Sequence, residues 1–163
     1  MSRRFVFLLG MLAATACATA KPQKTQLELR EFQTRSYDTT DSKMVMKAVL
    51  NVLQDDSYII KNASLDLGLL SATKEVDVSN GGSKFWSILL WGSNARWNNN
   101  AVIECSANIS EAGEQTRVRV NFQSKTLDNA GAVKEVKNVD DEAFYREFFA
   151  KVDKGIFIQD QKL

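Results

Sequence analysis

The sequence predicts an α+β domain in which an antiparallel sheet of about five to six strands carries two helices on one face. Three observations predict it. Val45, Ala48, Val49, Val52 and Leu53 recur at the spacing of one apolar helical stripe, and Phe144, Phe148, Val152 and Ile156 draw a second near the C-terminus. Between the two stripes, residues 102–110 and 116–125 alternate apolar and polar side chains with period two across a short turn. A sheet with one wet face needs its other face covered, and two amphipathic helices are available to cover it.

The elements follow in order. Residues 27–37 read as a first strand, with Leu27, Leu29, Phe32 and Tyr37 as its large side chains and an irregular alternation that implies a bulge or twist. Asp38, Thr39, Thr40 and Asp41 form a cap cluster ahead of a helix over residues 42–54, which Asp55, Asp56 and Ser57 stop. A second strand starts at Tyr58, turns at Asp66-Leu67-Gly68, and returns antiparallel over residues 69–76. Ser79-Asn80-Gly81-Gly82-Ser83 then breaks the pattern ahead of an apolar insertion, 84–97, that Asn98, Asn99 and Asn100 close.

The two alternating strands come next. Ile103, Cys105, Ala107 and Ile109 share a face opposite Glu104, Ser106 and Asn108. After a turn at Glu111-Ala112-Gly113-Glu114, Val118, Val120 and Phe122 alternate with Arg117, Arg119, Asn121 and Gln123. A second turn around Gly131 leads into a short edge strand at 132–136. The last helix runs over residues 141–154, with Asp140 as N-cap, Val139 and Phe144 at hydrophobic-staple positions, and Gly155 at its end. The order is β-α-β-β-insertion-β-β-(β)-α, a helix-grip-like arrangement.

Ahead of this domain stands a leader. Arg3 and Arg4 give a positive start, and residues 5–14 form an apolar run of the length of a signal-peptide core, too short to span a bilayer. Ala14-Thr15-Ala16-Cys17 follows, and it resembles the bacterial lipobox, in which small residues precede a modified cysteine; Ala14 stands where leucine is usual. The resemblance implies a lipoprotein signal peptide over 1–16, acyl chains on Cys17 anchoring the protein to a membrane, a tether over 17–25, and one domain over 26–163. Ala18 after the cysteine resembles lipoproteins sorted to the outer membrane, facing the periplasm. Ala18-Thr19-Ala20 also fits an ordinary signal-peptidase site, and cleavage after Ala20 would give a soluble periplasmic protein.

The totals narrow the function classes. Removing Arg3 and Arg4 from the 21 basic residues leaves 19 against 20 acidic ones, which offers no field for gathering nucleic acid. The chain has no histidine, so Ser-His and Cys-His nucleophiles and imidazole metal sites are excluded. With Cys17 acylated, Cys105 has no partner in the chain and no disulfide framework exists. Cys105 on an apolar strand face reads as an inert buried thiol, the acidic clusters at Asp55-Asp56 and Asp140-Asp141-Glu142 as helix boundaries, and Arg117 with Arg119 as a solvated face. The expectation is a protein without catalytic residues, metal or cofactor.

One segment stands out. Residues 84–97 hold all three tryptophans, and Phe85, Trp86, Ile88, Leu89, Leu90 and Trp91 are six large apolar side chains within seven positions; Trp97 follows. Three readings remain open: the segment folds back over the sheet, it contacts an envelope protein or another copy of the chain, or it inserts into the lipid interface beside the anchor.

Two stretches carry a family resemblance. Residues 50–60 with Leu67-Gly68-Leu69-Leu70-Ser71-Ala72, and Phe144-Tyr145-Arg146-Glu147-Phe148-Phe149 with Ile156-Phe157-Ile158, resemble uncharacterised outer-membrane lipoproteins of Gram-negative bacteria. Ser57 stands where those sequences usually have glycine. The helix–strand–turn–strand unit is also similar to the helix-grip repeats of the BamC lipoprotein of the β-barrel assembly machinery. The resemblance implies an envelope location and a binding or scaffold role without chemistry; a module for a small apolar ligand or lipid is the alternative.

Overall fold

The computed structural model describes residues 24–77, 100–128 and 130–161. Its elements are α1 (Gln26–Phe32), β1 (Thr34–Tyr37), α2 (Ser42–Asp55), β2 (Ile59–Ser64), β3 (Leu69–Asp77), β4 (Asn100–Ala112), β5 (Gln115–Leu127), β6 (Val133–Asn138) and α3 (Glu142–Asp160). The strands form a six-stranded antiparallel sheet in the order β1-β5-β4-β3-β2, with β6 also paired to β5. The α+β class and the antiparallel sheet are those the sequence predicts.

β1 and β6 lie end to end along one edge of β5. β1 pairs with residues 116–119 and β6 with residues 123–127. Between them the Val120 N–H donates to the Gln33 carbonyl and the Val139 N–H to the Phe122 carbonyl, both at 2.9 Å. The backbone polar groups of that edge are therefore largely spent on other strands and on the chain leading into and out of them.

Period-two alternation sorts the central strands. Ile103, Cys105, Ala107 and Ile109 of β4, with Val118, Val120 and Phe122 of β5, are buried, while Ser106, Asn108, Arg117 and Arg119 are exposed on the opposite face. α2 and α3 close the apolar face. α2 buries Val45, Met46, Ala48, Val49, Val52 and Leu53, and α3 buries Tyr145, Phe148, Phe149 and Val152. Phe122 is the centre of the aromatic packing, with ring centroids 4.9 Å from Phe144, 5.3 Å from Phe148, 5.7 Å from Tyr145 and 5.9 Å from Tyr58. The Tyr145 hydroxyl accepts from the Phe122 N–H and from the Gln33 amide, each at 3.2 Å, so a buried polar group stitches α3 to β5 and to the end of α1.

Three expectations are corrected. Residues 27–37 are not one strand. Residues 26–32 are helical, because Thr25 and Glu28 close a reciprocal capping box, and only residues 34–37 pair with β5. α1 buries none of its residues below the surface; Phe32 leans on Tyr145 at 5.2 Å and under the Lys24 ammonium at 4.5 Å. The N-cap of α3 is Asp141 rather than Asp140, since the Asp141 carboxylate accepts from the Phe144 N–H at 2.8 Å; the Asp140 carbonyl accepts from Lys24 instead. Gly155 does not end α3, which continues to Asp160. A Cβ at Gly155 would lie 3.5 Å from the Ala48 Cβ, an ordinary van der Waals contact, so Gly155 sits on the face of α3 that packs against α2.

α2 ends in a Schellman arrangement: the Ser57 N–H donates to the Gln54 carbonyl at 2.9 Å and the Tyr58 N–H to the Leu53 carbonyl at 2.8 Å. Ser57 carries the left-handed conformation at φ 66°, a position that favours glycine. Ser57→Gly is expected to raise stability by about 1 kcal/mol, a shift of a few degrees in Tm in a thermal melt. A lower Tm would contradict this account of the cap.

Candidate functional site

Cys17 and the whole 84–97 segment, with Phe85, Trp86, Ile88, Leu89, Leu90, Trp91 and Trp97, lie outside the described residues. The structure does locate where that segment is attached. β3 and β4 pair antiparallel through to their ends, with Asp77 opposite Asn100. Residues 78–99 therefore leave and rejoin the sheet at one point, at the end of two of its inner strands. Lys24 is held at the start of α3 by its bond to the Asp140 carbonyl at 3.0 Å.

Within the described residues, one cleft sets titratable groups against aromatic walls. It opens between the C-terminal end of α2 and the first turns of α3, with a volume of about 140 Å3. Phe122 of the sheet, Tyr58, Phe144 and Phe148 line it, and Asp56, Lys74, Glu147 and Lys151 complete it. Lys74 is there because it breaks the pattern of β3. Leu70, Ala72 and Val76 occupy the helix-covered face, and Lys74 takes the same face between Ala72 and Val76. Its ammonium donates to the Asp56 carbonyl at 2.7 Å, at the negative end of α2, and stands 5.6 Å from the centroid of the Tyr58 ring. Burial lowers the Lys74 pKa; the Asp56 carboxylate opposes that shift and Lys151 adds to it.

Lys151 closes the outer side of the cleft. It bonds to an Asp56 carboxylate oxygen at 2.7 Å and approaches Glu147 at 3.6 Å. Burial pulls this ammonium down, but its hydrogen bond to Asp56 and the charges of Asp56 and Glu147 outweigh it, and the net shift is upward. Tyr58 is 5% exposed, its hydroxyl is sealed from solvent without a hydrogen-bond partner, and burial raises its pKa. The one signal for this cleft in the sequence is a lysine among the apolar positions of one strand face.

The other candidates resolve as follows. Cys105 is buried 2% exposed in the sheet, and burial pushes its thiol pKa up, which suppresses the thiolate. Asp56 is the C-cap of α2, and Asp141 caps α3. Among the described residues, no group of three or more cysteine or acidic side chains could hold a metal ion, and no helix is long and apolar enough to cross a membrane.

No family model matches the chain, and no curated protein matches it. Among solved structures, it is similar to a DUF4468 family protein from Bacteroides ovatus at 11% sequence identity, over 76% of this chain and 84% of that one, with a TM-score of 0.39.

Proposed function

We propose that the chain is a lipid-anchored, periplasm-facing envelope protein with a non-catalytic binding role, and that residues 84–97 are its contact surface. Acyl chains on Cys17 would hold it to the outer membrane. The leader spacing and the resemblance to Gram-negative lipoproteins support the anchor. The observation that carries the contact surface is the pairing of Asp77 with Asn100. It fixes both ends of a tryptophan-rich segment at one point of a rigid sheet, which is how a scaffold presents a recognition loop. About seven residues join Cys17 to Lys24, a reach of at most about 25 Å, so the domain stays close to the bilayer.

The test is in-cell photocrosslinking. With a photoreactive residue at Trp86 or Trp91, discrete adducts with an envelope protein or a second copy are expected; with one at Arg117, on the exposed sheet face, they are not. Equal labelling from both faces, or none from Trp86 and Trp91, would remove the segment from consideration. Cys17→Ser is expected to shift most of the protein out of the membrane fraction.

A second reading, a ligand-binding module, is favoured by the cleft at Lys74. Its size is that of a cavity that holds benzene rather than an acyl chain.

A further inference from the structure

We infer that the groove between the end of β1, the first turn of α2 and the last two turns of α3 docks a basic segment of a partner protein, one that carries a bulky apolar side chain between two lysines or arginines. This surface goes beyond the contact proposed for residues 84–97 and lies apart from it. Tyr37, in the groove wall, is in register with Thr116, and Thr116 with Glu111 of β4. Glu111 stands eleven residues along β4 from Asn100, so about 35 Å of sheet separates the groove from the point where residues 78–99 attach.

The apolar part comes from α3. Its continuation past Gly155 adds Ile156, Phe157 and Ile158, yet Phe157 is 63% exposed and Ile158 38%, so these turns add less to the core than to the surface. Asp153, Ile156, Phe157 and Asp160 stand at i, i+3, i+4 and i+7, which places them on one helix face. All four line the groove, together with Tyr37 and Met44, around about 400 Å3. A small molecule confined to the groove leaves most of the Phe157 ring in water. A peptide laid across the rim covers it, and a covered aromatic is the kind of side chain on which interface affinity concentrates.

The charge comes from the rim. The charged residues that line the groove are three carboxylates, Asp38, Asp153 and Asp160. Arg35 engages Asp153 at 2.8 Å. Asp38 accepts from the neutral Gln115 amide, and both Asp38 and Asp160 are exposed. The last carbonyls of α3 add negative potential at the same place, while the Met44 N–H, at the start of α2, is spent on the Asp41 carboxylate at 2.9 Å. An acidic segment would be repelled from this rim. A basic one gains charge-assisted hydrogen bonds from Asp38 and Asp160, and its cations can also stack on the exposed Phe157 ring.

The probe is the tripeptide lysyl-phenylalanyl-lysine, acetylated and amidated at its ends. It is titrated by ligand-observed NMR against the full processed protein in phosphatidylcholine nanodiscs, with protein-free nanodiscs alongside. Saturable binding is expected, at least tenfold weaker when glutamates replace both lysines and at least fivefold weaker when serine replaces the phenylalanine. The double variant Asp38→Asn/Asp160→Asn should weaken the tripeptide at least tenfold, and Phe157→Ser about fivefold. Glu75→Gln, an exposed carboxylate of β3 away from the groove, should leave it unchanged. No saturable signal beyond that of protein-free nanodiscs would overturn the proposal. So would equal binding of the glutamate peptide, or wild-type affinity in both groove variants with their folds intact by circular dichroism. Phenethylamine binding as tightly as the tripeptide would make this a small-amine site and overturn it as well. Self-association in detergent that is lost in Asp38→Asn/Asp160→Asn would give the groove to a second copy of the chain, against the proposal.

Discussion

Phe122→Ala is expected to destabilise the domain by about 3–5 kcal/mol, enough to unfold most of a marginally stable population. Phe122 is fully buried, and four aromatic rings from β2's entry and α3 pack around it within 6 Å. Truncation removes the ring's transfer free energy and leaves a void bounded by Tyr58, Phe144, Tyr145 and Phe148. The void cannot collapse easily, because Tyr145 is tied to the backbone of β5 through its hydroxyl. The same change would join the void to the cleft at Lys74. Urea unfolding measures the effect. A loss below about 1 kcal/mol would mean that the helices do not rest on this ring as described.

Gly68→Ala is expected to cost about 2–5 kcal/mol, combining the left-handed penalty with a backbone clash. Gly68 sits at φ 62° in the β2–β3 turn, and an added Cβ would fall 1.9 Å from the Ile109 carbonyl oxygen. That oxygen belongs to β4, whose Ile109 N–H donates to the Gly68 carbonyl at 2.7 Å. Relief therefore requires the turn to lift off β4 and lose that bond. Gly113 and Gly131 are the controls. Both have positive φ, 68° and 82°, and nothing lies within 4 Å of an added Cβ. Their alanine variants should cost only about 1–2 kcal/mol. If Gly68→Ala were no worse than Gly113→Ala in the same denaturation series, the close approach of the turn to β4 would be wrong.

Much of this architecture is legible in the sequence where one physical signal dominates. The stripes of α2 and α3 follow from burial of one helix face, and the alternation of β4 and β5 from a sheet covered on one side only. The elements that differ from the sequence expectation lack such a signal. α1 has no buried stripe, so its Leu27 and Leu29 suggested a strand; the Thr25–Glu28 capping box, present in the sequence, is the local cue that decides it. The shortness of β1 depends on who else occupies the edge of β5, and no pattern within residues 27–37 reports that Val139 and β6 take the remainder. Glycine suits a helix end, but Gly155 lies inside α3 and faces Ala48 of α2, a pairing across 107 positions that local sequence does not express. The cleft was hidden for a related reason. Lys74 is visible as an exception on an apolar face, yet Asp56 and Lys151, which share the cleft with it, come together only when α2 and α3 pack.

The proposed role depends on acylation of Cys17, and intact mass spectrometry of the protein extracted from membranes tests it most directly. The predicted result is a polypeptide beginning at Cys17 and heavier than residues 17–163 by several acyl chains. A mass matching residues 21–163 without lipid would contradict it.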